Sequence, residues 1–267
     1  RVRLATRDGL NLVSRQAIAH QRLAHGLGAA RRQSLIIVRR ARPIGMTGRY
    51  DPHRGAASIV FHCALNHGIA LRCNIGMIEV KEDEERLLAW RCRGCNRRHG
   101  RCDALVNNAG IYPLKPLSET TLSDMRRVMA VNLEGTFNMT QALVPLMREN
   151  GWGRIVNISS TTAWLTVPDF GAYIASKMAI IGLTRAYATE LGESGINVNC
   201  ACPSLVRTGT TEAGPQAEMF DEVSGVQAIK RTQLPTDMVG VISFLCSDDS
   251  AFMTGQTLIC DGGLVRL

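Results

Sequence analysis

The sequence predicts an α/β fold, a parallel sheet with helices on both faces, folded as a single domain. Two observations carry that reading. From residue 103 onward, short apolar runs of strand length alternate with long stretches of helical period. The runs are short, predominantly apolar and ended by Asn, Gly or Pro, which is the pattern of buried parallel strands.

The elements follow in order. "DALVNN" (103–108) is an apolar run closed by Asn and Gly, and reads as a buried strand. "LSDMRRVMAVNLEGTFNMTQALVPLMREN" (122–150) is helical in period, with Gly151 as its stop. "GRIVNISS" (153–160) is a second strand. Asp169, after Pro168, is placed to cap a helix over 170–191, and Gly192 and Gly195 lie beyond its end. "INVNCACP" (196–203) is a third strand, "TDMVGVISFLCSD" (236–248) a further helix and "QTLICDGG" (256–263) a last strand. Such sheets bind ligands beyond the carboxyl ends of their strands. Those ends are Asn107 to Gly110, Ser159 and Ser160, and Pro203 to Thr208.

Composition narrows the class. A chain of 267 residues with 45% hydrophobic and 20% charged residues fits a globular domain with a sizeable core. The longest uncharged candidate for a membrane span, "SIVFHCALNHGIAL" (58–71), contains two histidines and an asparagine and is too short. The opening "RVRLATRDGL" has no apolar run of a secretory leader. Nine cysteines, several inside apolar runs, suit reduced thiols better than a disulfide framework, and a cytoplasmic protein is expected. The net charge of +8 hides two compositions. Residues 1–102 carry 20 Lys+Arg against 7 Asp+Glu, whereas 103–267 carry 11 against 16. The arginines of the first part are scattered among few aromatics (Tyr50, Phe61 and Trp90), so neither a nucleic-acid nor a membrane partner is expected.

The chemistry concentrates in "GAYIASKMAI" (171–180), where Tyr173 and Lys177 share a helix face one turn apart. A ketone reduced by hydride needs a proton, and a phenol can give it. An unperturbed phenol titrates near ~10, and a neighbouring ammonium favours the phenolate. Lys177 is therefore expected to lower the pKa of Tyr173 and make it an acid–base group. Taken singly, Ser160 is a strand-end hydroxyl, Asn132 a helix residue bonded to a carbonyl, and Asn107 and Asn108 turn residues.

Together these pieces resemble the short-chain dehydrogenase/reductase family. They are "NNAG" (107–110), "VN" (131–132), "NISS" (157–160), Tyr173-x-x-x-Lys177, "PSLVRT" (203–208) and "TGQTLICDGG" (254–263), with Ser160 thirteen residues before Tyr173. The resemblance implies a Rossmann-like sheet, a hydride transfer that uses NAD or NADP, and catalysis by Asn132, Ser160, Tyr173 and Lys177. Ser160 would bond the carbonyl oxygen, and Asn132 would hold a water on the proton route. Cofactor contacts would come from Asn108, Ala109, Gly110, Tyr173, Lys177, Pro203, Val206 and Thr208. "NNAGIYPL", "NGWGRIVNISSTTAWL" and "PSLVRTGTTEA" are similar to the branch of NAD-dependent 1-phenylethanol dehydrogenases. Tyr112, Thr161, Trp164 and Met219 would then line an apolar pocket, with 209–225 as a mobile loop over it. Relatives of this kind also reduce acyl-chain ketones. The family implies a homo-oligomer, commonly a tetramer.

Residues 1–102 depart from the family pattern. It opens with T-G-x-x-x-G-x-G, whose glycines admit the cofactor pyrophosphate to a helix N-terminus. The best local match puts Thr6 in place, but Arg7, Asn11 and Val13 stand at the glycine positions. "QSLIIV" (33–38) and "GIALRCNI" (68–75) read as a second and a third strand, and Arg39 and Arg40 would suit NADP. Cys92, Cys95, His99 and Cys102 have the look of a zinc site, but no second ligand pair follows and no metal is expected. A protein of this class without the phosphate loop has an alternative role as a catalytically impaired scaffold. An arginine- and histidine-rich, acid-poor stretch is also what a GC-rich gene yields out of frame. Translation of the other frames of the 5′ region is expected to uncover a TGxxxGxG segment, and its absence from every frame would refute a frameshift.

Overall fold

The computed structural model describes residues 102–266, together with five short strands before them at 33–38, 47–49, 60–64, 70–72 and 77–78. The main sheet has six strands in the order β5-β1-β6-β7-β8-β9. These are β1 (Gln33–Val38), β5 (Met77–Ile78), β6 (Ala104–Asn107), β7 (Gly153–Ile158), β8 (Ile196–Pro203) and β9 (Thr257–Cys260). β2 (Thr47–Arg49), β3 (Val60–Ala64) and β4 (Ala70–Arg72) form a second, antiparallel sheet.

β6 to β9 are parallel, as expected, with Asn107 beside Asn157 and Asn157 beside Cys200 in register. "QSLIIV" does form a strand, but β1 runs antiparallel to β6, pairing Leu35 with Asn107 and Val38 with Ala104. An apolar six-residue run presents the same two faces in either direction. Its direction is set by the connection, which the pattern does not encode. Among the described residues "GIALRCNI" contributes β4, which joins the second sheet rather than the first.

Five of the helices position the site. They are α1 (Leu122–Met129), α2 (Gly135–Glu149), α3 (Gly171–Leu191), α4 (Gly209–Glu212) and α5 (Phe220–Val226), with α6 (Pro235–Leu245) on the opposite face. Alternation along the strands explains the two layers. Leu105, Ile155, Ile196 and Val198 pack with Leu143, Met147 and Leu191 of α2 and α3. Ala104, Val106, Val156, Ile158 and Ala201 pack with Met238, Ile242 and Leu245 of α6. Each large aliphatic buried this way contributes about 1.5–3 kcal/mol. α3 offers Ser176, Lys177, Ile180, Ile181, Thr184, Tyr187, Ala188 and Leu191 as one buried stripe at helical spacing.

The long helix expected over 122–150 is interrupted. A π turn at Ala130–Glu134 separates α1 from α2 and carries Asn132 at its centre. α1 opens on a capping box in which Thr121 and Asp124 bond reciprocally. Asp169 does not cap α3. Its backbone is left-handed (φ 68°), its carbonyl accepts the Lys115 N–H at 2.9 Å, and Phe170 is the residue that precedes the helix. No helix among the described residues is long and apolar enough to cross a membrane.

The turn from α3 into β8 depends on Gly195, which has φ 72° and faces the Gly151 carbonyl so closely that a Cβ would collide with it. Gly195→Ala is expected to destabilise the protein by more than about 1 kcal/mol, read as a lowered midpoint in urea or thermal unfolding.

Candidate active site

Lys177 lies on the buried stripe of α3, and only 4% of it is exposed. Its Nζ donates to the Ile158 carbonyl, at the end of β7, at 2.8 Å. In return the Ser159 hydroxyl donates to the Lys177 carbonyl at 2.8 Å. These bonds pin one turn of the helix to the strand end. Tyr173 is one turn earlier, with Lys177 Nζ 5.6 Å from its ring centroid. Tyr112 and Phe170 hold the ring edge-on, at centroid distances of 6.1 and 5.8 Å.

Ser160 follows Ser159 and caps a short 3-10 turn, Thr161–Ala163. Its Oγ accepts the Thr162 N–H at 3.2 Å and the Thr162 hydroxyl at 3.0 Å. With both acceptor positions used, the Ser160 proton is the one left to donate, and it is directed to the Tyr173 oxygen. Asn132 is wholly buried. Its Oδ1 accepts the Ile111 N–H at 2.8 Å, while Nδ2 donates to the Ile111 carbonyl and to Ser176 Oγ, each at 2.9 Å. Gly110 sits between these parts. A Cβ there would lie 3.4 Å from both Asn132 Oδ1 and Lys177 Nζ.

The electrostatics correct one expectation. Burial pushes the Tyr173 phenol up to about 12, and the Ser160 hydroxyl opposes that rise without cancelling it. Lys177 Nζ lies 5.6 Å from the ring centroid and donates to the Ile158 carbonyl, and its pull on the phenolate is smaller than the cost of burial. Desolvation instead lowers Lys177 itself to about 8, opposed by Cys200 and Cys202. Removal from water outweighs the cation's pull on the phenol, so Tyr173 is fully protonated at neutral pH.

The family model described as "Enoyl-(Acyl carrier protein) reductase" matches residues 82–265. Dehydrogenase/reductase SDR family member 4 of Bos taurus is 35% identical over 193 residues, 72% of this chain and 67% of the relative. The chain belongs to the short-chain dehydrogenase/reductase family. It is similar also to the 3-oxoacyl-[acyl-carrier-protein] reductase FabG of Thermotoga maritima, 40% identical over 169 residues, 63% of this chain and 68% of the relative. Among solved structures, the gluconate 5-dehydrogenase of Burkholderia cenocepacia J2315, in complex with NADP and tartrate, superimposes with a TM-score of 0.64. It is 34% identical and covers 68% of this chain and 71% of its own. The family match begins at residue 82, ahead of the composition break at 102.

In this short-chain dehydrogenase/reductase the structure gathers Ser160, Tyr173, Lys177 and Asn132 around one strand end. Asn108 is exposed, and Ala109 and Gly110 are half-buried just beyond β6. Pro203 ends β8 and its carbonyl accepts the Thr161 hydroxyl at 3.2 Å. Val206 bridges to Gln233, and Thr208 caps α4 through a reciprocal bond with Thr211. Trp164 packs on Ile180, Ile181, Cys200 and Cys202 as part of the core. Met219 is half-buried at the start of α5. The segment expected as a plain loop after Thr208 holds α4, a 3-10 turn at Pro215–Met219 and α5.

Sequence reasoning missed Phe170, whose signal was an aromatic residue one turn before Tyr173. It missed Gln233, which accepts the Ser204 N–H at 2.8 Å and donates to the Cys260 carbonyl at 2.7 Å, tying the loop after β8 to β9. No local pattern announces such a long-range tie. No group of three or more metal-ligating side chains occurs among the described residues. Cys92, Cys95, His99, Arg39, Arg40 and the Thr6, Arg7, Asn11, Val13 match lie outside them, while Cys102 is buried two residues ahead of β6.

The lowered Lys177 value has a consequence for stability. Between about 8 and 10.5 the unfolded chain binds more protons at this group than the folded one. Stability from this group therefore rises with pH across that window, and the full penalty, at most on the order of 3 kcal/mol, applies below it. Lys177→Met is expected to remove this rise, measured as the wild-type minus variant difference in urea unfolding free energy at several pH values.

Proposed function

We propose that the protein is an NAD(P)-dependent oxidoreductase that interconverts a secondary alcohol and a ketone. Its family membership, and relatives whose names state reductase and dehydrogenase activities, support the class. The observation that carries the reading is the pairing of two protonated hydroxyls at one strand end. Ser160, with its acceptor positions filled, donates toward the Tyr173 oxygen, and Tyr173 is held neutral by burial.

The residues at the strand ends fit the nicotinamide end of such a cofactor. Gly110 leaves open the space beside Asn132 and Lys177, and the Ser204 hydroxyl beyond β8 is buried with no hydrogen-bond partner. Gly110, Pro203, Ser204, Val206, Thr208 and Lys177 are the residues that would hold it, and the bound nicotinamide supplies or accepts the hydride. In reduction, Ser160 donates a hydrogen bond to the substrate carbonyl oxygen as negative charge grows there. Tyr173 gives its proton to that oxygen, and a phenol at about 12 is protonated and ready for this direction at neutral pH. Lys177 then supplies the positive charge that compensates the phenolate. Its Nζ retains donors beyond the one given to Ile158. In oxidation the same steps run backward. Asn132 acts by clamping the Ile111 backbone against α3, since its amide donors are fully used.

The substrate classes to compare are aryl ketones, suggested by Tyr112 and Phe170 around Tyr173, and 3-oxoacyl groups, suggested by the similarity to FabG. A homo-oligomer through α2 and α3 belongs to the same proposal. Phe137 and Met178 stand exposed on those helices. A cytoplasmic location is proposed with it. The absence of a TGxxxGxG motif from the sequence favours, as a second reading, a scaffold of weakened dinucleotide affinity.

Hydride transfer from NADH or NADPH to acetophenone and to a 3-oxoacyl thioester, followed by nicotinamide absorbance, separates the two readings. Tyr173→Phe is expected to lower turnover by about a hundredfold to ten-thousandfold and Ser160→Ala by about a hundredfold or more. Turnover unaffected by Tyr173→Phe would overturn the oxidoreductase mechanism. A wild-type protein that binds neither dinucleotide by fluorescence titration would establish the scaffold.

A further inference from the structure

The turn of α3 that carries Tyr173 and the π turn that carries Asn132 are far apart in the chain, and one hydroxyl joins them. Ser176 lies between Tyr173 and Lys177 on α3 and is wholly buried. Its Oγ accepts from Asn132 Nδ2 at 2.9 Å and donates to the Tyr173 carbonyl at 2.7 Å. Asn132 holds Ile111 at both ends, accepting its N–H at 2.8 Å and donating to its carbonyl at 2.9 Å. The next residue, Tyr112, meets the Tyr173 ring edge-on, at a centroid distance of 6.1 Å. The contacts close a circuit. It runs from the Tyr173 carbonyl through Ser176 and Asn132 to Ile111, and from Tyr112 back to the Tyr173 ring.

The direction of every bond in this circuit is set by a backbone group. The Ile111 N–H requires the amide oxygen of Asn132 as its acceptor, which turns Nδ2 toward Ser176. Nδ2 can only donate, so the Ser176 proton is left for the Tyr173 carbonyl. A serine inside a helix commonly bonds a carbonyl three or four residues back, and that bond alone would be local. Ser176 differs in that its oxygen also receives a donor from another element.

We propose that Ser176 is a positioning residue for Tyr173, the joint that holds the backbone beside Gly110 and the Tyr173 turn of α3 at one separation. Its effect on turnover rests on the oxidoreductase reading, but the joint itself does not. Gly110 directly precedes Ile111, and a Cβ on it would lie 3.4 Å from both Asn132 Oδ1 and Lys177 Nζ. A ligand seated against Gly110 therefore bears on Ile111, and through Asn132 and Ser176 on the backbone of Tyr173. Proton delivery by the phenol depends on a short, well-aligned hydrogen bond, which weakens steeply with angle. A joint that fixes the Tyr173 turn acts on that alignment while touching neither substrate nor cofactor.

The four tyrosines of the chain allow Tyr173 to be watched without turnover. In cofactor-free protein labelled with fluorotyrosine, fluorine NMR gives each ring its own signal, and Tyr173→Phe identifies that of Tyr173. Ser176→Ala is expected to shift the Tyr173 signal and to leave that of Tyr187, farther along the same helix, in place. Asn132→Ala, on a different element, should shift the same signal, and the double variant should go no further than the larger single change. In turnover, Ser176→Ala should lower kcat by about tenfold to a hundredfold with KM changed less than about twofold. In a Tyr173→Phe background, with no phenol left to place, it should lower the residual rate no further. A Tyr173 signal that Ser176→Ala or Asn132→Ala leaves unmoved overturns the joint. A Ser176→Ala rate loss that persists undiminished in Tyr173→Phe overturns the positioning role. Should the wild type transfer no hydride, the oxidoreductase reading would fall while the fluorine spectra still judged the joint.

Discussion

A buried ammonium has to be given partners, and that requirement organises this site. Lys177 is removed from water on the inner stripe of α3, and its Nζ finds the last carbonyl of β7. The Ser159 hydroxyl returns a bond to the same helical turn. Helix and strand are therefore locked at one point, and the residues on either side inherit their positions from it. Ser160 is the next residue on the chain, and Tyr173 is one turn back on the helix. Whatever separates the serine and tyrosine hydroxyls is fixed by this lock rather than by the flexible turn between them.

The same logic extends through the layer beneath. Asn107 donates to Asn157 and to Thr140, and Asn157 donates to Thr184. Thr140 and Thr136 pass bonds along α2 to the Asn132 carbonyl. A polar ladder of this kind costs little when every donor is met, and costs much when one is lost. It joins β6, β7, α2 and α3 side by side below the turn that carries Ser160.

Electrostatics at the site follow from burial more than from pairing. The phenol rises to about 12 and the ammonium falls to about 8, so both groups move toward neutrality, as desolvation requires. A reading from spacing alone puts the cation beside the phenol and reverses the sign for Tyr173. The difference lies in where the ammonium is directed. Four positions on a helix bring two side chains together, but the Ile158 carbonyl, from another element, decides which way the lysine reaches.

The linear sequence determined the alternation of apolar runs and helices, the strand ends where chemistry gathers, and the Tyr173, Lys177 and Ser160 set. Each of these is written in local patterns of period 2 or 3.6 and in short motifs. Only the tertiary structure decided the antiparallel direction of β1, the π turn under Asn132, the left-handed Asp169, and the seating of Phe170, Gln233, Cys200 and Cys202 around the site. These depend on which distant backbone group or neighbouring face accepts a side chain, and a contact between residues far apart in the chain leaves no periodic trace in the order of amino acids.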